Sequence, residues 1–170
     1  MGDDPQVSAA YTPTDWHDLY VATASATAAL TGLLFVAVSL NIERILNFEG
    51  LPERAMQTLV MLLTPLIVSI AGLIPGQSKT ALGVELLVLG VGSTCAIVQT
   101  LRRTIPAGRN YQRAGFHLLI TLPASVPLVV GGASLLAGRG GGLYWIVAAI
   151  AWAILGASVN AWVLLVEILR

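Results

Sequence analysis

The chain has 170 residues, of which 56% are hydrophobic and only 11% charged, with nine basic and nine acidic side chains cancelling to a net charge of zero. A soluble domain carries about 25% charged residues, so these side chains cannot supply a polar coat, and a water-soluble fold is excluded. Segments such as Gly32 to Val38 and Leu59 to Leu63 lack the alternating polarity of a barrel strand, which leaves α-helices as the way to satisfy the backbone in lipid.

The sequence predicts an all-α, polytopic membrane protein: a bundle of five transmembrane helices with the first helix central. Uncharged stretches run between Asp18 and Glu43, Arg54 and Lys79, Glu85 and Arg102, Arg113 and Arg139, and Arg139 and Glu167. Four exceed the 18 or so apolar residues that mark a spanning helix. The third reaches that length if it starts near Lys79 and takes Glu85 into the interfacial zone. Residues 1–12 form an extracytoplasmic segment, and 13–170 a single transmembrane domain with spans at about 13–45, 52–74, 79–103, 111–137 and 143–169. No basic residue precedes Arg44, so no cleavable signal is expected and the first helix is retained.

Thr12, Pro13 and Asp15 read as a helix start with a cap, an N1 proline and a partner three residues on. Trp16 and Tyr20 suit the outer headgroup level. At 1.5 Å per residue a helix running on to Ile45 is roughly 50 Å long. Its outer half is very small-chained, from Ala22 to Ala29 and then Gly32. Helices in lipid associate by close packing of small residues, so small chains on every face imply neighbours on more than one face. Thr23, Thr27 and Thr31 follow at i+4, and Asn41 shares their stripe. The functional reading is a polar path or a hydrogen-bonded subunit interface; the alternative is hydroxyls bonded back to their own helix. Asp15, His17 and Asp18 are weak candidates for a metal site, which needs three or four convergent ligands.

Pro52 opens the second helix with Glu53 in its first turn, Pro65 is expected to kink it mid-membrane, and Pro75-Gly76 ends it. Gly83, Gly90 and Gly92 permit close contact along the third helix. Glu85 is the ionisable residue set deepest in a proposed span, and such residues are functional candidates. Lys79, Arg139 and Gln77 are its expected partners. The fourth helix has Pro123 and Pro127, with His117 near its inner end. Gly138-Arg139-Gly140-Gly141-Gly142 reads as a short flexible hinge. In the fifth helix Trp145 and Trp162 fit the aromatic belts, and Asn160 is a candidate interhelical hydrogen-bonding residue. Cys95, the single cysteine, allows no intramolecular disulfide.

With five spans, seven basic residues fall on the side of Arg44, Arg54, Arg102, Arg103, Arg109, Arg113 and Arg170, and two on the other. Basic short loops stay cytoplasmic, so the N-terminus is expected outside and the C-terminus inside. Arg102, Arg103, Arg109 and Arg113 are the expected contacts for anionic lipid.

The run from Gly32 to Leu46, together with Leu51-Pro52-Glu53-Arg54-Ala55 and Leu73-Ile74-Pro75-Gly76-Gln77, resembles a family of small, uncharacterised multi-pass bacterial membrane proteins of actinobacterial type. Eight Arg against one Lys suit a high-GC genome. The resemblance implies the bacterial inner membrane.

No nucleophile with a base, metal cluster or phosphate cradle appears in the sequence. The expected function is therefore that of a non-enzymatic integral membrane protein, acting through homo-oligomerisation or association with a larger membrane partner. The alternative is a small homo-oligomeric channel or transporter lined by the Thr23, Thr27, Thr31 and Asn41 stripe with Glu85 at its mouth. No cofactor and no nucleic-acid partner are expected; membrane lipids are.

Overall fold

The structure, a computed structural model, describes residues 9–48, 50–104 and 111–169, without the side chains at 97, 100, 101, 103, 104, 111–121 and 167–169. The described residues are mostly helical, with no strand among them. A 3-10 turn at Pro13–Trp16 leads into α1 (His17–Leu40). The short α2 (Ile42–Asn47) follows, and then α3 (Leu51–Gly72), α4 (Lys79–Thr104), α5 (Tyr111–Ala137) and α6 (Tyr144–Leu169). Four helical segments are long and apolar enough to cross a membrane: Pro13–Leu40, Leu51–Gly72, Lys79–Ala96 and Tyr144–Val166. The described side chains of α5 form a shorter apolar helix, Leu122–Ala137.

Helices α3, α4, α5 and α6 close into a ring, each packed on the next and α6 on α3. Helix α1 lies outside that ring. It packs extensively on α3 and only slightly on α6. In its best 18-residue window 22% of residues are buried, against 44% for α3. Within one chain, then, the first helix is peripheral and α3 is the helix with three long neighbours. The expectation of a central first helix came from small side chains on all its faces, and only one of those faces meets this chain.

Close approach inside the ring depends on glycine. A Cβ added at Gly132 of α5 would sit 2.7 Å from the Gly83 carbonyl oxygen and 3.0 Å from the Leu87 nitrogen of α4. One added at Gly90 would sit 2.8 Å from Val129 Cγ2 and 3.0 Å from the Val129 nitrogen. Without side chains at these points the backbones of α4 and α5 come nearly into contact, which explains why this is the most extensive helix pair.

Three apolar clusters follow the length of the bundle. At the end carrying Trp16 and the 138–142 loop, here the loop end, Tyr20, Val68, Leu82, Leu86, Leu135 and Ile146 pack together. Midway, Leu34 of α1 meets Met61 and Leu62 of α3 and Ala153 and Ala157 of α6. At the opposite end, here the basic end, Ile45, Leu51, Ala55 and Leu164 form the third cluster.

The first helix does not continue to Ile45 as its sequence suggested. Asn41 adopts φ −117° and ψ 17°, outside the helical region, and α2 restarts at Ile42. The break lets Ile45 turn into the third cluster while Ile42 and Leu46 stay exposed. At the other end the Thr12 side chain makes no capping hydrogen bond, so the expected reciprocal cap with Asp15 is absent. Pro13 instead starts a 3-10 turn.

Candidate functional site

The polar residues singled out in the sequence fall in separate places. Thr23, Thr27 and Thr31 are all buried on the face of α1 that carries Tyr20 and Leu34, the face turned to α3. The Thr27 and Thr31 hydroxyls serve their own helix. Thr27 Oγ1 donates to the Thr23 carbonyl at 2.6 Å, and Thr31 Oγ1 to the Thr27 carbonyl at 2.7 Å. Asn41 Nδ2 donates to the Ala37 carbonyl at 2.9 Å. Such back-bonding makes a polar side chain tolerable in an apolar packing face.

Asn160 of α6 is buried and reaches across to α3, its Nδ2 lying 3.8 Å from Met61 Sδ. Glu85 of α4 is half-buried, and its Oε2 accepts from Gln77 Nε2 at 2.6 Å. Of the partners expected for it, the carboxylate takes Gln77 rather than Lys79 or Arg139. The six residues therefore do not converge on one path through the chain.

His17 Nδ1 lies 3.4 Å from Asp18 Oδ1, both side chains well exposed. Among the described residues no three His, Cys, Asp or Glu side chains gather closely enough to hold a metal ion. Of the proposed lipid-contacting arginines, Arg102 is exposed. The side chains of Arg103 and Arg113, all of Arg109, and the His117 side chain lie outside the described residues.

The loop end is more tightly built than the sequence implied. Gly138, Gly140, Gly141 and Gly142 all have positive φ, from 51° to 98°, a region that favours glycine. Their turn is pinned from several directions. Ser134 Oγ donates to the Arg139 carbonyl at 2.6 Å and accepts from the Gly142 N–H at 2.8 Å. Trp145 Nε1 donates to the Gly140 carbonyl at 2.8 Å. The N-terminal segment closes over the turn. The Leu143 N–H donates to the Ala10 carbonyl at 2.8 Å, and the Gly141 N–H to the Tyr11 hydroxyl at 3.2 Å. Trp16 Nε1 donates to the Ala9 carbonyl at 2.8 Å, and the Trp16 ring meets Tyr144 edge-on at 4.9 Å. The expected flexible hinge is a hydrogen-bonded clasp that ties the start of α1 to the α5–α6 turn.

Tyr20 belongs to this clasp rather than to an aromatic belt. It is fully buried, and its ring lies over Gly72, where an added Cβ would meet Tyr20 Cζ at 2.6 Å. Its hydroxyl has no hydrogen-bond partner among the described residues.

A second polar stripe escaped the sequence reading. Glu53, Gln57, Val60 and Thr64 share one face of α3 at intervals of three and four residues. Val60 and Thr64 face the centre of the ring, where with Ser93 and Ser125 they line a cavity of about 10 Å³. That is room for about one water. Thr64, Ser93 and Ser125 bond back to the Val60, Gly90 and Leu122 carbonyls. Glu53 Oε2 and Gln57 Nε2 are enclosed and have no partner among the described residues. The i, i+4 spacing of Glu53 and Gln57 was available in the sequence. The face they occupy was not, because it depends on α3 being the helix that others surround.

No protein-family model, curated protein or solved structure matches the chain.

Proposed function

We propose that this chain is a non-enzymatic integral membrane protein that acts by assembling with itself or with a larger membrane partner. The observation that carries the reading is the outward face of α1. Ala22, Ser25, Ala29 and Gly32 share that face, all exposed, and among the described residues nothing beyond the adjoining turns of α1 itself lies within 4 Å of a Cβ placed on Gly32. Elsewhere in this protein, Gly83, Gly90 and Gly132 are in close contact with a neighbouring helix. A small-residue face open to lipid is the kind that a second helix approaches closely. With one flank on α3 and the other on a neighbouring molecule, the first helix becomes central in the assembly.

The same reading counts α5 as the fifth span. Its backbone helix runs Tyr111–Ala137 and packs between α4 and α6. At 27 residues it is about 40 Å long at 1.5 Å per residue. The excess of arginine at the basic end supports a cytoplasmic C-terminus and an outside N-terminus. The resemblance of Gly32 to Leu46 and the following segments supports the bacterial inner membrane. The non-enzymatic reading rests on the missing pairing of a nucleophile with a base in the sequence.

The test is disulfide trapping in native membranes. In a Cys95→Ala background, Gly32→Cys and Ser25→Cys are oxidised mildly. Val88→Cys on α4, whose native side chain is 65% exposed, serves as the reference. Cross-linked product at positions 25 and 32 but not at 88 is expected. No cross-link at either, together with a bare monomer in mild detergent, rejects the proposal.

A further inference from the structure

Helix α1 leans on α3 but parts from α6 over its second half, and the gap is a groove of about 250 Å³. Leu33, Ala37 and Asn41 form one wall, Ala161 and Leu165 the other, and Leu62 of α3 the back. Ile45 of α2 closes the basic end. The groove lies on a different side of α1 from Ala22, Ser25 and Ala29, so it is not the surface invoked above for assembly.

We propose that this groove binds one acyl chain of a phospholipid from the leaflet at the basic end. Three features select that occupant. The first is length. From Leu30 to Asn41, both lining residues, the groove extends roughly 16 Å at 1.5 Å per residue. That is half of a ~30 Å hydrocarbon core, the depth of one leaflet. The second is width. That volume is the space open to the centre of a water-sized sphere; spread over that length it is about 4.5 Å across, or roughly 7 Å with the sphere's ~1.4 Å radius added on each side, whereas a helix with its side chains is about 10–12 Å across. A single hydrocarbon chain fits where a helix of a second copy does not. The third is polarity. The walls are mostly aliphatic, since the Thr58 and Ser158 hydroxyls are spent on the Arg54 and Ile154 carbonyls of their own helices, and at the basic end Asn41 spends one amide proton on the Ala37 carbonyl. Its second amide proton lies at the level where a lipid's ester carbonyl leaves the hydrocarbon. An empty hollow of this size in a bilayer forfeits the dispersion contacts of its lining atoms, and the acyl chain restores them.

The test uses the full chain, purified in mild detergent and exchanged repeatedly to strip loosely held lipid, then measured by native mass spectrometry. Wild type is expected to retain one phospholipid per chain. Ala161→Phe and Ala37→Phe, which fill the groove from opposite walls, are expected to lower its occupancy at least fivefold. Ala151→Phe, on a lipid-exposed face of α6 outside the groove, is expected to keep it. As a measurement independent of any variant, adding phosphatidylglycerol to stripped wild type should raise its melting temperature and saturate near one lipid per chain. Wild type without retained phospholipid, equal retention in both groove-filling variants, or no stabilisation by added lipid overturns the proposal. So does a second copy of the chain lost in place of lipid when the groove is filled.

Discussion

Replacing Gly132 with alanine tests whether α4 and α5 are held together by backbone proximity. The new Cβ would lie 2.7 Å from the Gly83 carbonyl oxygen and 3.0 Å from the Leu87 nitrogen, both backbone atoms that cannot swing aside. Ordinary van der Waals contact begins near 3.4 Å, so the helices must part by several tenths of an ångström along their longest seam. Overpacking of this kind costs about 1–3 kcal/mol. Alanine also gains up to about 1 kcal/mol of helix propensity over glycine, which would mask part of the loss. Gly92→Ala separates the two effects. It lies in α4 with nothing within 4 Å of its added Cβ, so it keeps the propensity gain and has no clash. The difference in stability between the two variants, measured by reversible unfolding in mixed micelles, is expected to be about 1–3 kcal/mol, with Gly132→Ala the weaker. Equal stabilities would refute the close-approach account of the α4–α5 pair.

Two further outcomes follow from the hydrogen-bond geometry. Ser134→Ala removes the side chain that serves both the Arg139 carbonyl and the buried Gly142 N–H, at about 1–3 kcal/mol for groups left unpaired. Amide exchange at 138–143 should accelerate roughly ten- to hundredfold, and unchanged protection would show that the turn stands without the serine. Gln57→Leu removes a buried amide whose Nε2 has no partner among the described residues, and trading an unsatisfied donor for an apolar group is neutral or stabilising. Its thermal melt should match or exceed wild type; a loss beyond about 1 kcal/mol would mean that the amide is bonded in the membrane.

Local chemistry was the legible part of this fold. Pro52 at the start of α3 and Pro75-Gly76 beyond its end mark bounds a proline imposes by itself. The start of α4 at Lys79, with Glu85 in its second turn, follows from the length an apolar run needs to cross a bilayer. The back-bonded Thr27 and Thr31 are also local, because each acceptor is four residues away on the same helix. Features set by distant residues were hidden. Nothing between Val38 and Ile45 breaks a helix by propensity; the turn at Asn41 exists because Ile45 is wanted by Leu51, Ala55 and Leu164. Four glycines within five residues suggested mobility, and Tyr11, Ala10 and Ser134 supply the restraint from outside that window. Small residues on α1 implied close neighbours without saying which molecule would provide them. Glu53 looked like an ordinary first-turn acid and Gln57 drew no reading, because helical spacing gives a shared face but not its surroundings.

The clasp has a consequence for how the protein is made. Tyr11 bonds to Gly141, a residue 130 positions later in the chain. At synthesis rates of about 5–20 residues per second, α1 precedes its fastening by roughly 7–26 s. Until then its start has no docking site, and Tyr20 has Gly72 to rest on but not Leu143 or Ile146 to cover it. A nascent chain stopped before residue 138 should therefore expose Trp16 to solvent quenchers, and one released after residue 146 should not. The α5–α6 hairpin, made long after the first helix, is what fixes that helix in place.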